Sequence, residues 1–153
     1  MAFYQFYQEQ TLNTSLNNAW DFISSPQNLK KITPPYMGFE ITSKSISEKM
    51  YPGMIISYKV SPILNIKTDW VTEITQVKFL EYFIDEQRIG PYKLWHHQHH
   101  IFETKNGVLM KDIVTYAPPL GILGALANKL FIKNKLQEIF AFRTKALDDI
   151  FNK

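Results

Sequence analysis

The chain contains no cysteine. Disulfides, thiol nucleophiles and zinc-thiolate sites are therefore excluded, while the compartment stays open on this count because secreted proteins can lack the residue too. Also missing is any apolar run near the ~18 residues that span a bilayer. The opening MAFYQFYQEQ has no basic start, no apolar core and no small-residue cleavage site, so neither a secretory signal nor a transit peptide is expected. A cytoplasmic protein with no stable membrane insertion is the expectation. The excess of one charge sign is small, with 17 Lys and Arg against 14 Asp and Glu for a net +3. Nucleic-acid binders carry stronger, clustered basicity, so nucleic acid is not an expected partner. Neither a repeat, a low-complexity tract nor a linker-like shift divides the chain. What is present is 153 residues, 45% of them hydrophobic, which suits a single domain over residues 1–153 with a sizeable core.

The order of elements carries most of the structural information. Residues 2–12 alternate and include Phe3, Tyr4, Phe6 and Tyr7, which predicts a strand. Ser15 can cap a helix that passes through Trp20 and Phe22 and stops before Pro26, and a second short helix, PQNLKKI, ends at Thr33-Pro34-Pro35. Six β-branched or aromatic segments follow between turn signals: GFEITSK, MIISYKV, TDWVTEITQV, FLEYFIDEQRI, LWHHQHHIFET and VLMKDIVTY. After Pro118-Pro119, residues 120–151 contain no proline and place apolar residues at 123, 126, 130, 136, 140, 147 and 151. That pattern predicts one long helix, about 45 Å at 1.5 Å per residue. The expected fold class is α+β: a curved antiparallel seven-stranded sheet, two short helices after its first strand, and the sheet wrapped around a long C-terminal helix.

Five stretches carry a family resemblance: NNAWDFISSPQNLKKITPP, MYPGM at 50–54, DWVTEI at 69–74, FIDEQRIGPYKLWHHQH at 83–99 and DIVTYAPPLGILGALA at 112–127. With them, nearly the whole chain resembles the START-like SRPBCC superfamily, which includes polyketide cyclases, coenzyme Q-binding proteins and birch-pollen allergen relatives. The resemblance implies a helix-grip fold with an internal cavity, and it makes Trp70 a cavity wall. A fold of this kind hosts many functions, so function has to come from the site.

All four histidines fall in WHHQHH, residues 95–100. Asn106-Gly107 is a hairpin signal that favours a two-residue turn with both central residues at positive φ. The register that follows sets Lys105 opposite Val108, Ile101 opposite Asp112, His99 opposite Val114 and His97 opposite Tyr116. Opposed residues share a face. One face then carries Trp95, His97, His99, Ile101, Met110, Asp112, Val114 and Tyr116, and it is assigned to the interior because the other would bury Lys111, Gln98 and two histidines. His96 and His100 are expected to face solvent. His97 and His99 could pair with Asp112 as metal ligands, satisfy Asp112 and Tyr116 within the core, or turn to a ligand. With no secure third ligand, no metal and no cofactor is expected.

If the Gly90-Pro91-Tyr92 turn uses three loop residues, Asp85 faces His97 and Gln87 faces Trp95. Trp70, Trp95 and Tyr116 with Asp85, Gln87, His97, His99 and Asp112 then form an aromatic pocket with a few polar groups, the usual make-up of a small-molecule site. The expected function is binding of a hydrophobic or aromatic molecule, lipid-, quinone- or polyketide-like, between sheet and C-terminal helix. The alternative is a cyclase or dehydratase using His, Asp and Tyr for acid-base chemistry in the same cavity; no activated nucleophile, Gly-rich oxyanion loop or cofactor fingerprint accompanies it. Lys129, Lys133, Lys135, Arg143 and Lys145 are assigned to a solvated helix face.

Overall fold

The computed structural model describes residues 3–61 and 66–153. In chain order the elements are β1 (Tyr4–Leu12), α1 (Leu16–Ile23), 3₁₀ turns at Pro26–Ile32 and Pro35–Met37, β2 (Glu40–Ile41), β3 (Met54–Val60), β4 (Thr68–Lys78), β5 (Tyr82–Ile89), β6 (Leu94–Thr104) and β7 (Gly107–Ala117), then α2 (Gly121–Ala127), a π-helical turn (Asn128–Ile132) and α3 (Lys133–Phe151). The strands form one antiparallel sheet in the order β1-β7-β6-β5-β4-β3-β2. Register shifts between Val71 and Thr72 and between Ile74 and Gln76 interrupt the β4–β5 ladder. Such bulges bend a strand and deepen its twist, which curves the sheet. No helix among the described residues is long and apolar enough to cross a membrane.

Local chemistry explains several element ends. Ser15 caps α1 by accepting a hydrogen bond from the Asn18 amide at 3.3 Å. The strand expected over 38–44 shrinks to Glu40–Ile41, and the one expected from Phe79 starts at Tyr82 because Leu80 takes a left-handed φ of 61° in the preceding turn. Residue 2, expected in the first strand, lies outside the described residues.

The β6–β7 hairpin turns one residue earlier than Asn106-Gly107 suggested, on Lys105-Asn106, with Thr104 paired to Gly107. Thr104 Oγ1 holds that turn, accepting from the Asn106 amide at 3.3 Å and donating to the Gly107 carbonyl at 3.0 Å. Gly107 alone of the pair has a positive φ, 115°, and a Cβ there would lie 2.1 Å from the Leu12 carbonyl oxygen. The whole ladder is therefore shifted by two residues from expectation, which sets His97 opposite Val114, His99 opposite Asp112 and Trp95 opposite Tyr116. An even shift leaves every side chain on its expected face. His97, His99, Ile101, Val108, Met110, Asp112, Val114 and Tyr116 are all buried, while His96 and His100 are half-buried on the other face.

The C-terminal helical segment departs from its expected stripe. Its buried residues up to Phe140 are Gly124, Asn128, Ile132, Leu136 and Phe140, in steps of four, and Leu147 follows. Steps of four drift around an α-helix of 3.6 residues per turn, and the wider π turn at Asn128–Ile132 rotates the stripe back toward the sheet. Leu123, Leu126 and Leu130, three of the apolar positions that predicted the helix, are consequently 68%, 53% and 60% exposed. Gly124 fits because a Cβ there would meet the Pro119 carbonyl oxygen at 1.9 Å. The far end of α3 is fastened to β1, where Gln10 Nε2 donates to the Thr144 carbonyl at 2.8 Å and the Asn152 side chain bonds Thr11 and Asn13.

The core has two apolar bodies. One gathers Leu12, Trp20, Ile74, Phe83, Met110 and Leu147; the other gathers Trp70, Tyr92, Val114, Tyr116, Leu136 and Phe140. Along the inner face of β7, Met110 belongs to the first and Val114 to the second, with Asp112 between them.

Candidate functional site

At the junction of the two apolar bodies four charged or titratable side chains form a closed ring. Asp85 on β5 and Asp112 on β7 flank β6, directly opposite His97 and His99 respectively. His97 and His99 both point inward because side chains two apart on a strand share a face, and their rings lie 3.7 Å apart. His97 Nε2 is 2.9 Å and His99 Nδ1 3.0 Å from Asp112 Oδ1. On the opposite side His99 Nε2 is 2.8 Å and His97 Nδ1 3.5 Å from Asp85 Oδ2. Phe83 stacks on His99 at 4.1 Å. Arg143, from α3, approaches Asp112 Oδ1 at 3.5 Å, and its side chain is 13% exposed. It is therefore no part of a solvated helix face.

The electrostatics follow from burial and these contacts. Burial would raise the carboxyl of Asp112, but hydrogen bonds from His97 and His99, with Arg143 nearby, hold it well below the usual carboxylate range. Asp85 is also lowered, against its burial, by His99 and His97. His97 is pushed down to about 4 by burial and by the charge of His99. His99 goes up, because its bonds to Asp112 and Asp85 outweigh the cost of burial.

A cavity of about 120 Å³ opens beside this ring, between the sheet and α3. Its walls are apolar on most sides: Met37 and Phe39, Ile56 and Val60, Trp70, Tyr92, Trp95, Leu136 and Phe140. Trp70 stands edge-on to Trp95 at 5.2 Å, and Tyr92 completes the aromatic corner at 5.0 Å from Trp95. Thr72 receives the Trp70 indole N–H at 3.0 Å and meets the Tyr58 hydroxyl at 3.1 Å. Asp85, His97, His99 and Arg143 supply the polar end. The Arg143 Nε is buried and has no hydrogen-bond partner among the described residues.

No protein-family model and no curated protein matches this sequence. Solved structures do match it in shape. Protein CV1439 from Chromobacterium violaceum superposes with a TM-score of 0.71 at 12% identity, covering 97% of this chain and 98% of that one. Major latex-like protein 151 from Panax ginseng gives 0.68 at 9% identity, with 97% of each chain covered. Ara h 8.0201 gives 0.57 at 16% identity over 95% of this chain and 98% of its own. The fold is the helix-grip fold. At these identities the likeness concerns the fold alone.

Within this helix-grip chain, the eight residues singled out in sequence separate into two groups. Trp70, Asp85, Trp95, His97 and His99 line the cavity; Gln87, Asp112 and Tyr116 do not. Gln87 instead closes the β5–β6 loop, donating from Nε2 to the Tyr92 carbonyl at 2.6 Å and accepting from the Tyr92 amide at 3.1 Å. Asp112 lies behind the histidines. Tyr116, displaced from His97 by the two-residue register shift, donates its hydroxyl to Asn128 Oδ1 at 2.8 Å and so anchors the π turn to the sheet. Tyr58, Thr72, Tyr92 and Arg143 are site residues that sequence reasoning missed. For Arg143 a signal existed: it stands three residues after Phe140 and four before Leu147, on their helix face, where an apolar residue would be expected.

Proposed function

We propose that this protein binds a small aromatic molecule bearing an acceptor oxygen, held in the cavity between the sheet and α3. The observation that carries the reading is the unused Arg143 Nε in a largely aromatic wall. A buried donor without a partner costs about 1–3 kcal/mol, and a ligand carbonyl, phenolate or carboxylate would recover that cost. The volume narrows the ligand class. Apolar cavities of roughly 150 Å³ accept a single benzene ring, so about 120 Å³ suits one ring. A lipid- or polyketide-sized molecule would require α3 to move outward.

The test is tryptophan fluorescence, because Trp70 and Trp95 both line the cavity. Simple phenols, benzoquinones and benzoates are titrated beside benzene, fused-ring quinones and fatty acids. Saturable quenching by the oxygenated single-ring compounds, weakened in Arg143→Met and lost in Ile139→Phe, which fills the cavity from the helix side, supports the proposal. No saturable response from any single-ring compound on folded protein defeats it.

A further inference from the structure

The four-membered ring of Asp85, His97, His99 and Asp112 has a proton pattern of its own. Asp112 Oδ1 stands within hydrogen-bond distance of one nitrogen on each histidine, His97 Nε2 at 2.9 Å and His99 Nδ1 at 3.0 Å. An ionised carboxylate can only accept, so both of those nitrogens carry their N–H. In the neutral imidazoles the remaining nitrogens, His97 Nδ1 and His99 Nε2, are then lone pairs. His99 Nε2 is hydrogen-bonded to Asp85 Oδ2, itself an acceptor, at 2.8 Å, and His97 Nδ1 lies 3.5 Å from the same oxygen. With both rings neutral these three atoms are all acceptors, a set that either a proton on His99 Nε2 or a metal ion would satisfy. A single proton joins only the shorter contact.

We infer that Asp85, His97 and His99 form a binding site for a first-row divalent transition-metal ion, with Asp112 as the carboxylate that orients both histidines. The three ligand atoms lie within 4.8 Å of one another. Around zinc, with bonds of about 2.0–2.1 Å, tetrahedral ligand atoms are separated by about 3.3 Å, between the two contacts to Asp85. Metal-bound histidines almost always donate their second ring N–H to a carboxylate or carbonyl, and here one aspartate serves both. Two histidines and one carboxylate suit zinc or ferrous-type ions; calcium and magnesium prefer all-oxygen sets.

The position favours the Asp85 side over the Asp112 side. Asp112 is 1% exposed and has the Arg143 guanidinium beside it, which would repel a second cation. Asp85, His97 and His99 line the cavity, so an ion there would keep its remaining coordination positions directed at the cavity. An ion at this point replaces the proton between His99 and Asp85. Two neutral histidines, Asp85 and a divalent ion sum to one positive charge, while Asp112 and Arg143 cancel. An anionic oxygen from the cavity would neutralise the remainder. The ring carries this inference whether or not an organic molecule enters the cavity.

Chelator-stripped protein, confirmed as folded by circular dichroism, is titrated with Zn²⁺ by calorimetry and with Co²⁺ by visible absorption, with Mg²⁺ and Ca²⁺ as comparison ions. The expected result is one saturable Zn²⁺ or Co²⁺ site per chain. It should be lost in the near-isosteric Asp85→Asn and in His99→Ala, weakened 10- to 100-fold in Asp112→Asn, and unchanged in His96→Ala and His100→Ala. Nitrogen NMR of histidine-labelled wild type needs no variant: Zn²⁺ should shift two of the four imidazoles and leave the other two in place. Absence of one-to-one Zn²⁺ or Co²⁺ binding by the folded wild type overturns the site. Binding that survives Asp85→Asn, that vanishes in His96→Ala or His100→Ala, or that shifts all four imidazoles equally does so too. Fluorescence titration of the metal-free protein with the aromatic panel keeps failure of this site separate from failure of the cavity reading.

Discussion

Asp112→Ala isolates the energetics of the buried ring. The carboxylate accepts from His97 at 2.9 Å and His99 at 3.0 Å and faces Arg143 at 3.5 Å. Two hydrogen bonds to charged or polarised groups contribute about 1.5–3 kcal/mol each, and removing one partner of a buried ionic cluster costs about 3–5 kcal/mol. The two routes agree on roughly 4 kcal/mol, a large share of the ~5–15 kcal/mol that stabilises an ordinary domain. For a chain of this length about 2–4 °C of melting temperature is lost per kcal/mol, so a fall on the order of 10 °C is expected. Asp69→Ala is the matched control. Its contact with Lys59 is equally short, 3.1 Å, but the two side chains are 71% and 44% exposed, and such surface pairs contribute about 0–1 kcal/mol. Denaturant unfolding of both variants, with unchanged m-values, gives the comparison. If Asp112→Ala and Asp69→Ala fall within 1 kcal/mol of each other, burial is not what makes this ring matter and the reasoning fails.

His97→Ala and His99→Ala should each cost about 2–4 kcal/mol by leaving a buried aspartate underbonded, while His96→Ala and His100→Ala stay within about 0.5 kcal/mol in the same unfolding assay. Tyr116→Phe leaves the buried Asn128 Oδ1 without its donor and should lower stability by about 1–3 kcal/mol, with faster amide exchange along the π turn. Trp95→Phe enlarges a cavity that already exists and should cost less than a core truncation of similar size, while shifting affinity within the aromatic panel; a loss of several kcal/mol with no change in binding would mark Trp95 as packing alone. Because His97 and His99 keep hydrogen bonds to Asp112 and Asp85 without an ion, chelation should leave the fold intact, and added Zn²⁺ should raise the melting temperature progressively by mass action.

The helix-grip architecture was legible because it rests on patterns the chain carries locally: a β-rich run between two helical ends, Ser15 as a cap, and alternation in β6 and β7 that chooses the buried face. That choice survived an error in the register. Period-two alternation decides which side of a strand is apolar, whereas the partner across the ladder depends on which residues turn, and here Thr104 and the tight approach of Gly107 to Leu12 moved the turn by one residue. The chain therefore announced that His97, His99 and Asp112 share an interior face. A three-residue loop at Gly90-Pro91-Tyr92 also put Asp85 opposite His97, as the ladder has it; only the tertiary structure closed both aspartates onto the two imidazoles, released Tyr116 to Asn128 and sent Gln87 to its loop, since these are distances between strands and no local pattern encodes them. Arg143 is the sharpest instance. In sequence it is one cation among several on the last helix, and it becomes a buried donor because the π turn sets the rotation of α3 against the sheet and carries its guanidinium inward to the one carboxylate behind the histidines.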